Sequence, residues 1–185
     1  MSIADRLASV RADIDEACRA AGRDPAEVRL LPVSKYHGIE QIREAHAAGY
    51  ALFGENKVQE MAAKHAELAA EGIGFAVIGH VQTNKARQVA EFAAELHSLD
   101  SLRLAEALNR RLVDLERRLP VLVQVNTSGE ATKSGIEPAD AVAFARALAP
   151  FEALEPRGLM TMALNSADLD GVAHCFELLA LTRAS

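Results

Sequence analysis

The sequence predicts an α/β fold of the (β/α)8 TIM-barrel type, with parallel strands, about six of the eight strand–helix units present, and one helix before them. Six short apolar segments alternate with helix-like segments, and such alternation implies parallel strands with right-handed crossovers. No GxGxxG motif or P-loop follows any predicted strand, which weakens the open, doubly wound alternative. Because no linker or composition shift divides the chain, we expect residues 1–185 to form a single, incomplete barrel domain.

The first predicted element is an amphipathic helix. Apolar residues from Ile3 to Ala17 recur at the 3,4 spacing of one helix face. Ser2 and Asp5 have the spacing of a capping box, which places the start of this helix at the beginning of the chain.

Six strands and six helices follow in alternation. The predicted strands are residues 30–35, 50–53, 75–78, 96–99, 121–125 and 157–162. The predicted helices are residues 39–48, 58–70, 83–91, 102–118, 138–148 and 169–181. Residues 121–125 are the clearest strand, because a continuous β-branched apolar run is typical of a strand covered on both faces.

Composition excludes several functional classes. The net charge is −6 and no basic block is present, which argues against nucleic acid as a partner. No apolar run approaches the roughly 20 residues of a membrane helix, and the N-terminus lacks the apolar core of a signal peptide. Cys18 and Cys175 have no CxxC spacing and are interpreted as core residues in a reducing compartment. We therefore expect a cytoplasmic protein.

Lys35 is the strongest candidate for chemistry. It ends the apolar segment 30–35, and the tip of a parallel strand holds a side chain where ligands bind. A lysine that loses part of its hydration there has a lowered pKa and can form a Schiff base with an aldehyde. Only 5 of the 20 basic residues are lysines, so lysine is not the default surface cation of this chain. The alternative is a solvated lysine at a strand end.

Polar, glycine-containing loops follow the predicted strands at one end only. These loops are residues 34–35, 54–56, 79–85, 97–100, 126–135 and 160–162. Loops at the opposite strand ends, such as 23–25 and 71–74, have the composition of plain turns. Since barrel enzymes and binding proteins build their sites on the loops after the strands, the asymmetry predicts a site on that face.

Other polar residues in these loops have both a functional and an ordinary interpretation. His80 is either a general acid or base, or a surface histidine. Lys85 and Lys133 form either a basic rim for phosphate or ordinary loop charges. Glu55 is either catalytic or, more simply, a carboxylate that stabilises a helix N-terminus. No histidine pair has the spacing of a metal site, so no metal is expected.

Taken together, these segments resemble the pyridoxal phosphate homeostasis proteins, whose fold is similar to the barrel domain of alanine racemase. The matching stretches are Val33-Ser34-Lys35, Phe53-Gly54-Glu55-Asn56 and the segments 78–85, 97–100, 123–136 and 157–160. They occur in the order and spacing of the family and cover essentially the whole chain.

The resemblance implies a cofactor site. Lys35 would carry pyridoxal 5′-phosphate as an internal aldimine, Asn56 would lie near the cofactor ring, and Met160 would line the pocket. It also implies a protein that holds the cofactor without catalytic turnover, maintains its intracellular level, and hands it to pyridoxal phosphate-dependent apo-enzymes. The alternatives are a pyridoxal phosphate-dependent amino-acid racemase and another Schiff-base enzyme, such as an aldolase.

Two departures from the family pattern qualify this expectation. Phe75-Ala76-Val77 stands where the family has Trp-His before a Phe-Ile-Gly strand. The family also continues beyond the helix predicted at 169–181 into two further units that supply a phosphate cup. Losing three charge-assisted hydrogen bonds to phosphate costs roughly 4–9 kcal/mol. We therefore expect this 185-residue chain, taken by itself, to bind the cofactor weakly.

Overall fold

The computed structural model describes residues 1–130 and 132–184, and these form seven α-helices and five β-strands. The helices are α1 (Ile3–Ala20), α2 (Ile39–Ala47), α3 (Val58–Leu68), α4 (Ala86–Phe92), α5 (Leu102–Asp114), α6 (Ala141–Ala147) and α7 (Leu169–Ala184). The strands are β1 (Leu52–Glu55), β2 (Gly74–Val77), β3 (Glu95–Leu99), β4 (Leu119–Gln124) and β5 (Leu154–Met160). No helix within these residues is long and apolar enough to cross a membrane.

The five strands form one parallel sheet in the order β1-β2-β3-β4-β5. Each strand pairs with the strand before it, so the sheet has no reversal of strand order. A doubly wound sheet would reverse at a switch point, whereas a barrel adds its strands in sequence. The predicted parallel α/β fold of barrel type is therefore confirmed.

The first predicted strand, residues 30–35, is reduced in the structure to a single bridge at the edge of this sheet. Val33 makes an isolated parallel bridge with Gly54 of β1. The Gly54 N–H donates to Pro32 O at 2.8 Å, and the Ser34 N–H donates to Gly54 O at 2.9 Å. Proline has no N–H to continue the ladder, so the segment runs beside β1 without becoming a longer strand.

Several other predicted elements have different limits in the structure; β5, for example, begins at Leu154 instead of residue 157. The helix predicted at 102–118 ends at Asp114, because Glu116 adopts a left-handed φ of 51°. The N–H of Glu116 donates to Val113 O at 3.1 Å, and that of Arg117 donates to Leu112 O at 2.9 Å, as in a Schellman motif. The first helix begins as predicted, with the reciprocal Ser2 and Asp5 bonds of a capping box.

The core lies between the sheet and the helices that cover its outer face. Phe53 of β1 and Phe75 of β2 are buried side by side, with ring centroids 6.5 Å apart. Met61 of α3 and Leu108 of α5 are completely buried in the same cluster. The cluster anchors the helices on the sheet and so fixes the starting point of each loop that follows a strand.

A charged cluster lies near the start of β3. Both oxygens of Glu95 accept hydrogen bonds of 2.7 Å from the Arg29 guanidinium. His97 Nε2 lies 2.7 Å from Glu95 Oε2. The hydrogen bonds from Arg29, and then the one from His97, lower the pKa of Glu95 from 4.5 to about 2. His97, which belongs both to the predicted strand 96–99 and to the predicted loop 97–100, lies within β3 and contacts Glu95 in this cluster.

This cluster predicts a pH dependence of stability. Because the folded-state pKa of Glu95 is below the unfolded value, its contribution is present above about pH 4.5 and is lost as the pH falls towards 2. Allowing for solvent screening, we expect a loss of about 1–2 kcal/mol. Urea unfolding of the wild type and of Glu95→Gln between pH 7 and pH 2.5 measures it. The wild-type advantage should shrink over this range; an advantage that stays constant with pH would contradict the assignment.

Candidate functional site

A cavity of about 590 Å³ opens at the carboxyl ends of the strands. Its walls come from the loops that follow the edge segment, β1, β2, β4 and β5. The lining residues are Val33, Lys35, Asn56, Ile78, Gly79, His80, Gln124, Thr132, Lys133, Ser134, Met160, Thr161 and Met162. The volume is in the range of small-molecule sites. All three residues predicted for the site, Lys35, Asn56 and Met160, border this one cavity.

Lys35 stands on a tight turn at the end of the edge segment. The His37 N–H donates to Ser34 O at 3.0 Å, so Lys35 and Tyr36 are the two central residues of the turn. Tyr36 has a φ of 65°, a left-handed conformation that non-glycine residues adopt at a cost. A positive φ at the third position is the pattern of a type II turn. Ser34 is buried and Lys35 is half-buried, so the turn presents the lysine from a fixed base.

Beneath this turn lies a buried ion pair between Glu55, the last residue of β1, and Lys64 of α3. Lys64 Nζ donates to Glu55 Oε1 at 2.6 Å and to Ser34 O at 2.8 Å. The Ser34 hydroxyl donates to the same Glu55 oxygen at 2.6 Å. The interpretation of Glu55 as a helix N-terminal carboxylate is therefore wrong, because the side chain is fully buried and paired with Lys64.

Asn56 and Gly79 bring two of the loops into direct contact. A Cβ placed on Gly79 would lie 2.3 Å from Asn56 O and 2.8 Å from Asn56 Cα. The Ser98 hydroxyl donates to Gly79 O at 2.7 Å and holds this loop from the β3 side. Only glycine permits such a close approach of two backbones, so the loop that carries Asn56 can occupy this place only with glycine at position 79.

The opposite wall is formed by the loop after β4 and the end of β5. Lys133 Nζ donates to Ala163 O at 3.0 Å and forms an ion pair with Glu130. The Thr161 hydroxyl is 2.8 Å from Val125 O, to which it donates. Met160 is half-buried beside Thr161. This wall therefore contains the Lys133 ammonium, which two contacts fix in place, the Thr161 hydroxyl and the apolar thioether of Met160.

His80 lies at the edge of the cavity with one ring nitrogen already engaged. Its Nδ1 is 3.1 Å from Asp100 Oδ2, and its side chain is 55% exposed while that of Asp100 is 12% exposed. The carboxylate fixes the orientation of the ring. Lys85, predicted to share a basic rim with Lys133, is not among the residues that line the cavity.

Lys64 is the residue that the sequence prediction missed. It lies within α3, where a lysine is ordinarily solvated, yet its side chain is only 12% exposed. One signal was available: it is one of only 5 lysines in a chain that otherwise uses arginine. Sequence spacing alone does not show that this helix face meets both Glu55 and the turn at Lys35.

Comparison with known proteins agrees with this architecture. Residues 6–184 match the family model described as alanine racemase, N-terminal domain. The pyridoxal phosphate homeostasis protein of Pseudomonas aeruginosa is 47% identical over 161 residues, which cover 87% of this chain and 70% of that protein.

Two solved structures are similar over nearly the whole chain. A protein described as unknown, from Bifidobacterium adolescentis, has a TM-score of 0.92 and 35% identity, covering 98% of this chain and 78% of its own. PipY from Synechococcus elongatus, with PLP bound, has a TM-score of 0.84 and 35% identity, covering 99% of this chain and 81% of PipY. This chain therefore belongs to the alanine racemase N-terminal domain family and, within it, to the pyridoxal phosphate homeostasis proteins.

Proposed function

We propose that this chain binds pyridoxal 5′-phosphate at Lys35 and acts in the homeostasis of that cofactor without catalytic turnover. The observation that carries the proposal is the turn at Ser34–His37, which presents the Lys35 amine to a cavity that Asn56 and Met160 also line. Relatives named as pyridoxal phosphate homeostasis proteins, and PipY with PLP bound, support the same ligand.

The residues around the cavity fit such a ligand. The bound cofactor would supply an aldehyde, which can condense with a primary amine and release water. Lys35 supplies that amine at the cavity wall. Asn56 offers an amide for polar groups of the ring, and Met160 offers an apolar surface. Lys133 supplies a positive charge that attracts a phosphate.

The absence of turnover is part of the proposal. Racemisation needs a base on each face of the substrate, and alanine racemase-like enzymes draw one of these from a second domain. His80, oriented by Asp100, is the acid–base candidate that lines the cavity and has a fixed ring. The His80–Asp100 pair is the observation that favours the alternative function, a pyridoxal phosphate-dependent racemase or another Schiff-base enzyme.

The wider setting follows from the same proposal. Pyridoxal phosphate-dependent apo-enzymes are the proposed recipients of the cofactor, and the cytoplasm is the proposed location. Cys18 and Cys175 are both free and buried, which is compatible with a reducing compartment. One continuous hydrophobic cluster extends from α2 to β5, and this supports the prediction of a single domain.

The test is a visible absorbance spectrum of the purified protein with pyridoxal 5′-phosphate. We expect a red-shifted band in the wild type and none in Lys35→Ala. Borohydride reduction followed by peptide mass mapping should place the trapped cofactor on Lys35. A folded wild-type protein without the band, or a label on another lysine, would contradict the proposal.

Two assays separate the alternatives. The cofactor-loaded protein should not interconvert D- and L-amino acids, and measurable racemisation would instead favour the racemase. Borohydride in the presence of sugar phosphates should trap no sugar on Lys35, whereas a trapped sugar would favour an aldolase. The variant to compare with the wild type in both assays is His80→Asn, because it removes the acid–base group and leaves Lys35 unchanged.

A further inference from the structure

The buried ion pair between Lys64 and Glu55 contacts the residue that precedes Lys35. Glu55 is completely buried and the Lys64 side chain is 12% exposed. Burying a charged pair costs desolvation, and such a pair is often no more stabilising than apolar residues of the same size. Stability alone therefore does not explain why two charges occupy this place.

Among the described residues, two groups donate to Ser34 O, and the Lys64 ammonium is one of them. The other donor is the His37 N–H, which closes the turn that contains Lys35. The left-handed Tyr36 makes this turn strained, so the turn requires additional bonds to keep its shape. A charge-assisted hydrogen bond of 2.8 Å to the first carbonyl of the turn supplies one of them.

The same pair also reaches the second loop of the cavity. Glu55 immediately precedes Asn56, and its Oε1 accepts hydrogen bonds from both Lys64 and the Ser34 hydroxyl. The backbones of the two segments are joined as well, because the Ser34 N–H donates to Gly54 O. The network therefore fixes the two segments that bring Lys35 and Asn56 to the cavity.

We propose that Lys64, together with Glu55, is a positioning residue for Lys35. It holds the turn from beneath, so that the Lys35 amine faces the cavity before any ligand arrives. Lys64 is not among the residues that line the cavity, and it acts through Ser34 and Glu55. This inference rests on the proposed function, since it concerns the attachment of pyridoxal 5′-phosphate to Lys35.

The experiment compares two ligands that differ in one group. Pyridoxal 5′-phosphate can react with the Lys35 amine, whereas 4′-deoxypyridoxine 5′-phosphate lacks the aldehyde and can only bind non-covalently. Equilibrium titrations are made with the wild type and with the double variant Lys64→Met/Glu55→Gln, which removes the pair without leaving a buried charge. We expect about a tenfold rise in Kd for pyridoxal 5′-phosphate, the equivalent of one lost hydrogen bond. The Kd of the deoxy analogue should rise by a smaller factor, at most about threefold, because the segment before Asn56 is also held by the backbone bond from Ser34 N–H to Gly54 O, which the double variant keeps.

The matched control removes a surface pair from the same region. Arg43→Met/Glu71→Gln deletes an exposed ion pair between α2 and the turn after α3, and neither Kd should change. If Lys64→Met/Glu55→Gln loses affinity for both ligands equally, the cavity as a whole is disrupted. If it loses affinity for neither ligand, Lys64 has no positioning role. Either result overturns the inference. If the double variant does not fold, Lys64→Met/Glu55→Met, which replaces the pair with apolar residues of similar size, decides by the same ratio of the two Kd values.

The wild-type titrations separate this inference from the proposed function. A wild-type protein that binds neither ligand contradicts the proposed function, and the inference falls with it. If the wild type and the double variant bind pyridoxal 5′-phosphate equally well, only the positioning role is contradicted.

Discussion

Gly79→Ala is expected to lower the free energy of unfolding by about 3 kcal/mol, the upper range for an added methyl in a closely packed place. The new Cβ would lie 2.3 Å from Asn56 O, 2.8 Å from Asn56 Cα and 2.9 Å from Asn56 C. These are backbone atoms, so no side-chain rotation relieves the overlap. The loop that carries Asn56 must move, and we therefore expect weaker ligand binding as well.

Gly38→Ala is the control for Gly79→Ala. Gly38 has a φ of −80°, and the nearest atom to an added Cβ is a side-chain oxygen of Gln41 at 4.0 Å. This substitution should change the stability by less than about 1 kcal/mol. Urea denaturation of the two variants measures the difference. Equal stability of the two would show that the Asn56 loop yields to a methyl group without cost.

Lys64→Met is expected to lower the free energy of unfolding by about 3–5 kcal/mol, because it leaves the Glu55 carboxylate buried without its cation. Glu55 Oε2 already has no hydrogen-bond partner among the described residues. Removal of Lys64 would leave the Ser34 hydroxyl as the remaining donor to Oε1. Chemical denaturation of the wild type and the variant at neutral pH gives the value.

A double-mutant cycle isolates this effect. Lys64→Met/Glu55→Gln should recover most of the lost stability, since neither buried charge is left. The surface pair of Arg43 and Glu71 should show a coupling of at most about 1 kcal/mol. A double variant less stable than Lys64→Met would mean that Glu55 has a structural role independent of Lys64.

The sequence predicts the order of the elements well and their limits less well. Alternation of apolar and amphipathic segments predicts β1 to β5 in the correct order, but β1 lies at Leu52–Glu55 instead of 50–53, and β5 begins at Leu154 instead of residue 157. A displacement by two residues keeps the same side chains on each face, so the hydrophobic pattern does not detect it. The reduction of residues 30–35 to a bridge depends on Pro32, whose missing N–H matters only beside a partner strand.

For the candidate site, the sequence predicts which loops meet but not what holds them. Lys35, Asn56 and Met160 share a cavity because parallel strands bring their carboxyl ends to one side. The role of Lys64 depends on the rotation of α3 about its axis, which helical periodicity does not determine to within one side chain. Gly79 has no positive φ, so only the packed structure shows that it must be glycine.

The sequential order of the strands has a consequence for how the protein is made. Every parallel ladder of this sheet joins a strand to the strand before it. Each new strand pair therefore closes only one loop, the helix-containing connection between those two strands. Closing such short loops costs less chain entropy than pairing distant segments. The order of the strands across the sheet is also the order in which they leave the ribosome. Each new strand therefore meets a partner that has already been synthesised.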